Sequence, residues 1–342
     1  MGKDSPSAHA ELGHALVRID SGLPCQVGDQ EFSRFSCSNE FSWDPALLKS
    51  IALLGGNKKI NERLEPELPH FYRRPWPGLR CPHAIRSAFV ESKYDFEEFM
   101  EDAALHGRQW RYSGPTKSVT LYKKLKKTNK FVERRFELWF NHGEMKYFIQ
   151  PGDTEPKSTI KVKDIDVAWI DSVDLDAPAD VCLMFSFLKN DAFRFIFISS
   201  PIRGLMVEWY NAIRNAKCHV GSQDQLIGNV TNDVTISGWL EKSGPKSTDL
   251  WRKRWCMLVG YNFLYMEQPS SPYTSGYIQI RRPNQSVAVL LDYTPSGRRN
   301  VNKFYFTLRT PARDYGFSVT TEEQRNAWVN ALNDIIVTGE IF

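Results

Sequence analysis

Two stretches of the chain place lysine and arginine at matching points. The first, VTLYKKLKKTNKFVERRFELWF, carries Lys123, Arg134 and Arg135. The second, ISGWLEKSGPKSTDLWRKRWCML, carries Lys242, Arg252, Lys253 and Arg254. Each has a strand-like run with an isolated lysine, then a polar gap, then a basic cluster opening a second strand-like run. Cations projecting from adjacent strands around one loop form a cup. Such a cup suits a multiply phosphorylated head group, because each phosphate oxygen can take charge-assisted hydrogen bonds.

The rest of the composition narrows the chemistry. The net charge of +4 over 342 residues, with a pI near 8.6, is too mild for a surface that wraps nucleic acid. The charge is local instead. Lys117, Lys123, Lys124, Lys126, Lys127, Lys130, Arg134 and Arg135 are opposed only by Glu133. Aromatic residues do not interleave with cations as in a single-strand platform, so no nucleic-acid partner is expected. No apolar run approaches the ~20 residues needed to span a bilayer, and MGKDSPSAHA lacks the apolar core of a signal peptide. An intracellular protein is expected, and Pro6 argues against myristoylation at Gly2. Cys25, Cys37, Cys81, Cys182, Cys218 and Cys256 are scattered and never spaced C-x-x-C. That pattern predicts free, mostly buried thiols rather than a disulfide framework or a standard zinc finger.

The elements that must position the cups follow from hydrophobic periodicity. Residues 1–45 form an atypical segment with weak periodicity, on which no structure is forced. From Asp44, Leu47, Leu48, Ile51 and Leu54 share a helical face. Gly55 and Gly56 end that helix, and Asn57 can cap a second carrying Ile60 and Leu64. After ELPHFYRRPWPG a third helix, HAIRSAFVESKYDFEEF, sets Ile85, Ala88, Phe89, Phe96 and Phe99 near one side, with Lys93 and Tyr94 near its end. Beyond Gly107 the period becomes alternating. Strands are expected near 118–125, 133–140, 145–150 and 158–170, then VCLMFSFL and FRFIFIS, followed by the helix PIRGLMVEWYNAIRNAK. The order then repeats near 235–243, 252–260, 263–267, 276–281, 287–293, 303–309 and 314–320, ending in TEEQRNAWVNALNDIIV. Several short antiparallel strands and one amphipathic helix suit a small bent barrel closed at one end by the helix. Trp209 with Ile213, and Trp328 with Leu332 and Ile335, are expected as the core plugs.

A strand, a lysine-bearing loop, RKRW, several strands and a helix with a central tryptophan resemble the pleckstrin homology (PH) domain, twice over. The segment LLKSIALLGGNKKINERLEPELPHFYRRP, with the following helix ending in KY and then EF, resembles the C-terminal half of an Arf GTPase-activating domain. The order is similar to the Arf GTPase-activating proteins with dual PH domains, the alpha centaurins, over roughly residues 46–340. KSGPK, WRKRW and FYRRP are its specific parts. The resemblance implies an α+β multidomain chain: a short helical remnant of an Arf-GAP domain at 46–106, then PH-fold β-barrels at 115–218 and 234–340, each closed by a C-terminal helix.

The family also implies a zinc finger of two C-x-x-C pairs, followed by a helix whose arginine assists GTP hydrolysis on Arf. This chain departs there. Cys25 and Cys37 are too far apart to chelate as a pair, and the only arginines of the first fifty residues, Arg18 and Arg34, lie outside the family's histidine–arginine context. An arginine finger contributes about three or more orders of magnitude in rate, so no catalytic residue, no metal and no GTPase-activating activity are expected.

Carried over residue by residue, the resemblance puts Lys123 in the first cup, with Arg134 and Arg135 facing it and Tyr147 on the third strand. In the second it puts Lys242, Arg252 and Arg254, with Tyr265 on the third strand and Lys246 in the loop. Strand alternation sends Arg252 and Arg254 to one face and Lys253 to the other. Glu133 weakens the match of the first cup, which the lysines from Lys124 to Lys130 offset. Trp251 and Phe131, beside the loops, are assigned to core packing ahead of bilayer contact. The implied partners are phosphoinositide membranes, above all those with phosphatidylinositol 3,4,5-trisphosphate, inositol polyphosphates and an Arf-family GTPase, with a monomer as the expected state. Each basic residue near an anionic leaflet contributes about 1 kcal/mol, and two linked domains gain from effective concentration. The leading expectation is a cytoplasmic adaptor in Arf signalling, recruited to the plasma membrane. The alternatives are an active Arf GTPase-activating protein and a PH-fold protein-binding scaffold.

Overall fold

Alternating residues of high β propensity make two copies of one strand arrangement. The computed structural model describes residues 56–75, 81–101, 112–128, 130–171, 175–220, 234–246, 249–280, 286–293 and 300–337. The expectations for residues 1–55, including the helix from Asp44, Cys25, Cys37, Arg18 and Arg34, lie outside these residues. The first copy comprises β1 (Thr116–Lys124), β2 (Phe131–Trp139), β3 (Glu144–Phe148), β4 (Ser158–Lys161), β5 (Asp166–Asp171), β6 (Val181–Lys189) and β7 (Ala192–Ser199). The second comprises β8 (Val234–Lys242), β9 (Arg252–Val259), β10 (Asn262–Met266), β11 (Gly276–Gln279), β12 (Ala288–Leu291), β13 (Phe304–Arg309) and β14 (Asp314–Val319). Both are seven-stranded sheets of the same order, β4-β3-β2-β1-β7-β6-β5 and β11-β10-β9-β8-β14-β13-β12. The single strand expected over 158–170 is two strands, because a 3-10 turn at Val162–Asp164 interrupts it.

Among the described residues the α-helices are α1 (Gly56–Leu64), α2 (His83–Val90), α3 (Arg203–Val220) and α4 (Glu322–Val337). Contacts divide the described residues into two compact units, those up to Lys117 with Ile202–His219, and Ser118–Pro201 with those from Val220 onward.

In the first unit α1 begins at Gly56, one residue ahead of the expected cap at Asn57. The long helix expected over HAIRSAFVESKYDFEEF is shorter: α2 gives way to a π-turn at Glu91–Asp95, closed by the Phe96 N–H donating to Glu91 O at 2.9 Å. The wider turn leaves Ser92, Lys93 and Tyr94 all buried. Lys93, 1 % exposed, is paired at 2.6 Å with Glu65, as a buried ammonium requires. Tyr72 of the FYRRP stretch packs with Phe89, Phe99 and Tyr112. The same stretch is tied to α3, since the Arg73 N–H donates to Asn211 Oδ1 at 2.9 Å and Arg214 Nε donates to Phe71 O at 2.6 Å. Trp209 of α3 is fully buried.

In the second unit, α4 packs on β13, β12, β14 and β8. Trp328 lies 5.4 Å from the Phe263 ring, within a core of Leu240, Leu258, Phe306, Phe317 and Leu332. This is the plug expected for Trp328. The two sheets also share a second apolar seam. Cys182, Met184, Phe195 and Phe197 of the first sheet pack with Trp255, Met257, Leu264 and Met266 of the second. The seam explains why VCLMFSFL and FRFIFIS are apolar on both faces: one face fills their own sheet's interior, and the other meets the neighbouring sheet.

Candidate anion-binding cups

Strand register decides which cations meet. In the first domain Tyr147 pairs with Phe136, so Arg134, two residues earlier on β2, lies on the face of Tyr147. In the second, Tyr265 pairs with Cys256, which puts Arg254 on the face of Tyr265. Lys123 pairs with Ile198 of β7, and Lys242 with Phe317 of β14. Lys123, Arg134 and Tyr147 therefore occupy the same register positions as Lys242, Arg254 and Tyr265.

The geometry of the two trios agrees in detail. Lys123 Nζ donates to Lys124 O at 3.0 Å and stands 5.2 Å from the centre of the Tyr147 ring. Lys242 Nζ donates to Ser243 O at 3.1 Å and stands 4.6 Å from the Tyr265 ring. Both lysines are buried. Burial, and then Arg194, Lys126, Arg134 and Lys124, lower the Lys123 ammonium to about 8. Burial, and then Arg313 and Arg254, lower that of Lys242 to about 8 as well. Arg134 donates to Glu133 O at 2.7 Å, and Arg254 to Lys253 O at 3.1 Å. Among the described residues no carboxylate forms an ion pair with either lysine or with these two arginines. Like charges held together without a counter-ion favour an anion between them.

The remaining expected residues fall in different places. Arg135 is on the opposite face of β2 from Lys123, paired with Glu137 at 3.0 Å and stacked 4.0 Å from the Phe148 ring. It does not face the cup. Arg252 pairs with Lys242 across the strands and is exposed, at the register position that Val132 holds in the first domain. Lys253 lies on the other face, 4.7 Å from the Trp239 ring, as alternation requires. Lys246 is exposed in the β8–β9 loop, where its N–H donates to Asp249 Oδ2 at 2.9 Å. Trp251 packs edge-on against Tyr305 at 5.6 Å, and Phe131 packs on the seam between the sheets.

Two cations escaped the sequence reading. Arg194 lies four residues before Ile198 and Arg313 four before Phe317, so they match across the domains and share the inner face with the lysines. Arg194 is buried 5.5 Å from the Phe187 ring, and its Nε has no hydrogen-bond partner among the described residues. It also lines an open cleft of about 460 Å³ beside Ser158, Ile160 and Lys189. Arg313 stacks 4.1 Å from the Tyr315 ring. The signal in the sequence was its repeat spacing, 119 residues from Arg194 to Arg313 as from Lys123 to Lys242.

Cys81, Cys182, Cys218 and Cys256 are free, and burial raises the thiols of Cys182 and Cys256 far above their ordinary range. No group of three His, Cys, Asp or Glu among the described residues is placed to hold a metal ion.

Residues 234–337 match the PH domain family model. The rat protein "Arf-GAP with dual PH domain-containing protein 2" is 25 % identical over 304 residues, covering 86 % of this chain and 77 % of the relative. Human "Pleckstrin homology domain-containing family A member 7" is 30 % identical over 135 residues, 35 % of this chain and 12 % of that protein. The solution structure of the PH domain of human pleckstrin homology domain-containing protein family A member 5 matches at 28 % identity, covering 30 % of this chain and 77 % of that one, with a TM-score of 0.25.

Proposed function

We propose that this chain, a relative of the Arf-GAP proteins with dual PH domains over 86 % of its length, is a membrane-recruited regulator of Arf GTPase signalling that binds phosphatidylinositol 3,4,5-trisphosphate through both PH-fold domains. It acts as an adaptor and supplies no GTPase-activating catalysis of its own. The observation that carries the reading is the register match of Lys123, Arg134 and Tyr147 with Lys242, Arg254 and Tyr265, each trio without a carboxylate counter-ion among the described residues.

In each cup the buried lysine and the strand arginine hold ring phosphates through charge-assisted hydrogen bonds, while the tyrosine ring fixes the ammonium from the side. Arg194 and Arg313 add charge at the inner wall. Recruitment follows the appearance of the lipid in the plasma membrane, and two cups on one surface bind more tightly than either alone. Helices α1 and α2, with FYRRP anchored on α3, are the remnant of the Arf-GAP domain.

Sedimentation with vesicles tests the reading. Vesicles containing phosphatidylinositol 3,4,5-trisphosphate should pull down the chain in preference to phosphatidylserine vesicles of equal charge. Arg134→Ala and Arg254→Ala should each reduce binding, and together abolish the preference. Equal binding to both vesicles, or an unaffected double variant, overturns it. In the same preparation GTP-loaded Arf should release phosphate at its intrinsic rate, and acceleration by the chain would restore the enzyme reading.

A further inference from the structure

The segment between β10 and β11 leaves its own sheet and lies along the first domain. The Phe195 N–H donates to Pro272 O at 2.9 Å, and the Thr274 N–H donates to Phe193 O at 2.9 Å. The Phe193 N–H in turn donates to Thr274 Oγ1 at 3.1 Å, and Arg194 and Tyr273 form an isolated antiparallel bridge. Phe193 packs edge-on against Tyr277 at 5.1 Å, which continues the apolar seam between the sheets.

From this seat the segment reaches the loop that opens the first cup. Lys124 Nζ donates to Ser270 O at 3.2 Å. Lys126 Nζ donates to the Tyr273 hydroxyl at 3.3 Å and lies 5.5 Å from the centre of its ring. Arg194 and Lys126, both in contact with Tyr273 or bridged to it, are the two charges that act most strongly on Lys123. The first cup also lacks a cation that the second has, since Val132 stands at the position of Arg252. Lys126, whose charge acts on Lys123, is placed to fill that role, and an unanchored lysine on a loop would lose side-chain entropy on binding.

We propose that the first cup is a composite site, in which Tyr273 of the second domain is a positioning residue that holds Lys126 beside Lys123 and Arg134 for a polyphosphorylated inositol ring. The inference rests on the phosphoinositide reading of the cups. It makes the second domain part of the first domain's binding site, beyond any gain from two independent cups on one membrane.

Calorimetry on the chain with soluble inositol 1,3,4,5-tetrakisphosphate tests it. In an Arg254→Ala background, which reports the first cup, Tyr273→Ala should weaken binding by about three- to tenfold. Tyr273→Phe, which keeps the ring and loses the hydroxyl, should fall between. In an Arg134→Ala background, which reports the second cup, Tyr273→Ala should leave affinity unchanged. A vesicle arm with phosphatidylinositol 3,4,5-trisphosphate should show the same background-dependent loss, and the concentration of soluble probe that releases the chain tells whether lipid or free inositol phosphate is the better ligand. No effect of Tyr273→Ala, an equal loss in both backgrounds, or a loss confined to vesicles overturns the composite site. Failure of the unsubstituted chain to bind the probe or the vesicles overturns the cup reading itself.

Discussion

The Tyr265 hydroxyl lies where a side chain on Gly276 would have to be, since a Cβ built on Gly276 would come within 2.1 Å of it. The two residues pair across β10 and β11, and the missing side chain leaves the tyrosine room to lie beside Lys242.

Gly276→Ala should therefore displace the Tyr265 ring while the sheet stays paired, because the colliding atom is the far end of a movable side chain. Affinity of the second cup for a soluble inositol polyphosphate should fall severalfold, with that of the first unchanged. Calorimetry of the variant in the Arg134→Ala and Arg254→Ala backgrounds reads both values.

The lowered lysines predict a pH signature. Lys123 and Lys242 titrate near 8 when the cups are empty, and a bound polyphosphate favours their charged form. Binding should thus take up protons above about pH 8, to a limit of about one per cup, and affinity should decline as pH rises through that value. The heat of binding measured in buffers of different ionisation enthalpy gives the proton count. In the unliganded chain the sign for stability is opposite. The unfolded chain holds these protons up to about pH 10.4, so the cost that this pair of lysines imposes on folding shrinks as pH rises from about 8 towards that value.

How much of this was visible in the sequence depends on the residue. The strands and α4 were legible because period-2 and period-3.6 patterns change cleanly along the chain, whereas Lys242, Arg252, Arg254 and Tyr265 were singled out by the family resemblance. Arg134 and Arg135 could not be told apart, because adjacent residues point to opposite faces and only pairing of Tyr147 with Phe136 fixes which one enters the cup. Arg194 on β7 and Arg313 just ahead of β14 come from far along the chain, and only strand pairing brings them to the lysines. The cover of the outer face of β6 and β7, the second sheet, is a tertiary relationship that no local pattern announces.

Leu250, next to the second cup in the β8–β9 loop, is 79 % exposed. An apolar side chain held in water beside a lipid-head-group site gains by entering the bilayer. Leu250→Ser should weaken binding to phosphatidylinositol 3,4,5-trisphosphate vesicles by about three- to tenfold. It should leave affinity for the soluble head group as it was, which calorimetry checks.

Trp328 closes the core of the second domain against Phe263. Truncation to alanine should cost about 3–5 kcal/mol, seen as a lower midpoint in urea unfolding. The tryptophan does not touch the cup residues' charged groups, so affinity measured on the fraction still folded should be unchanged.

The claim that the chain carries two anion-binding cups is tested most directly by the stoichiometry of inositol 1,3,4,5-tetrakisphosphate binding to the chain. Two ligands per chain are predicted, falling to one tight site in Arg134→Ala, to one in Arg254→Ala, and to none in the double variant. Saturation at one ligand that only one of these substitutions removes, or binding that survives the double substitution, would contradict the account.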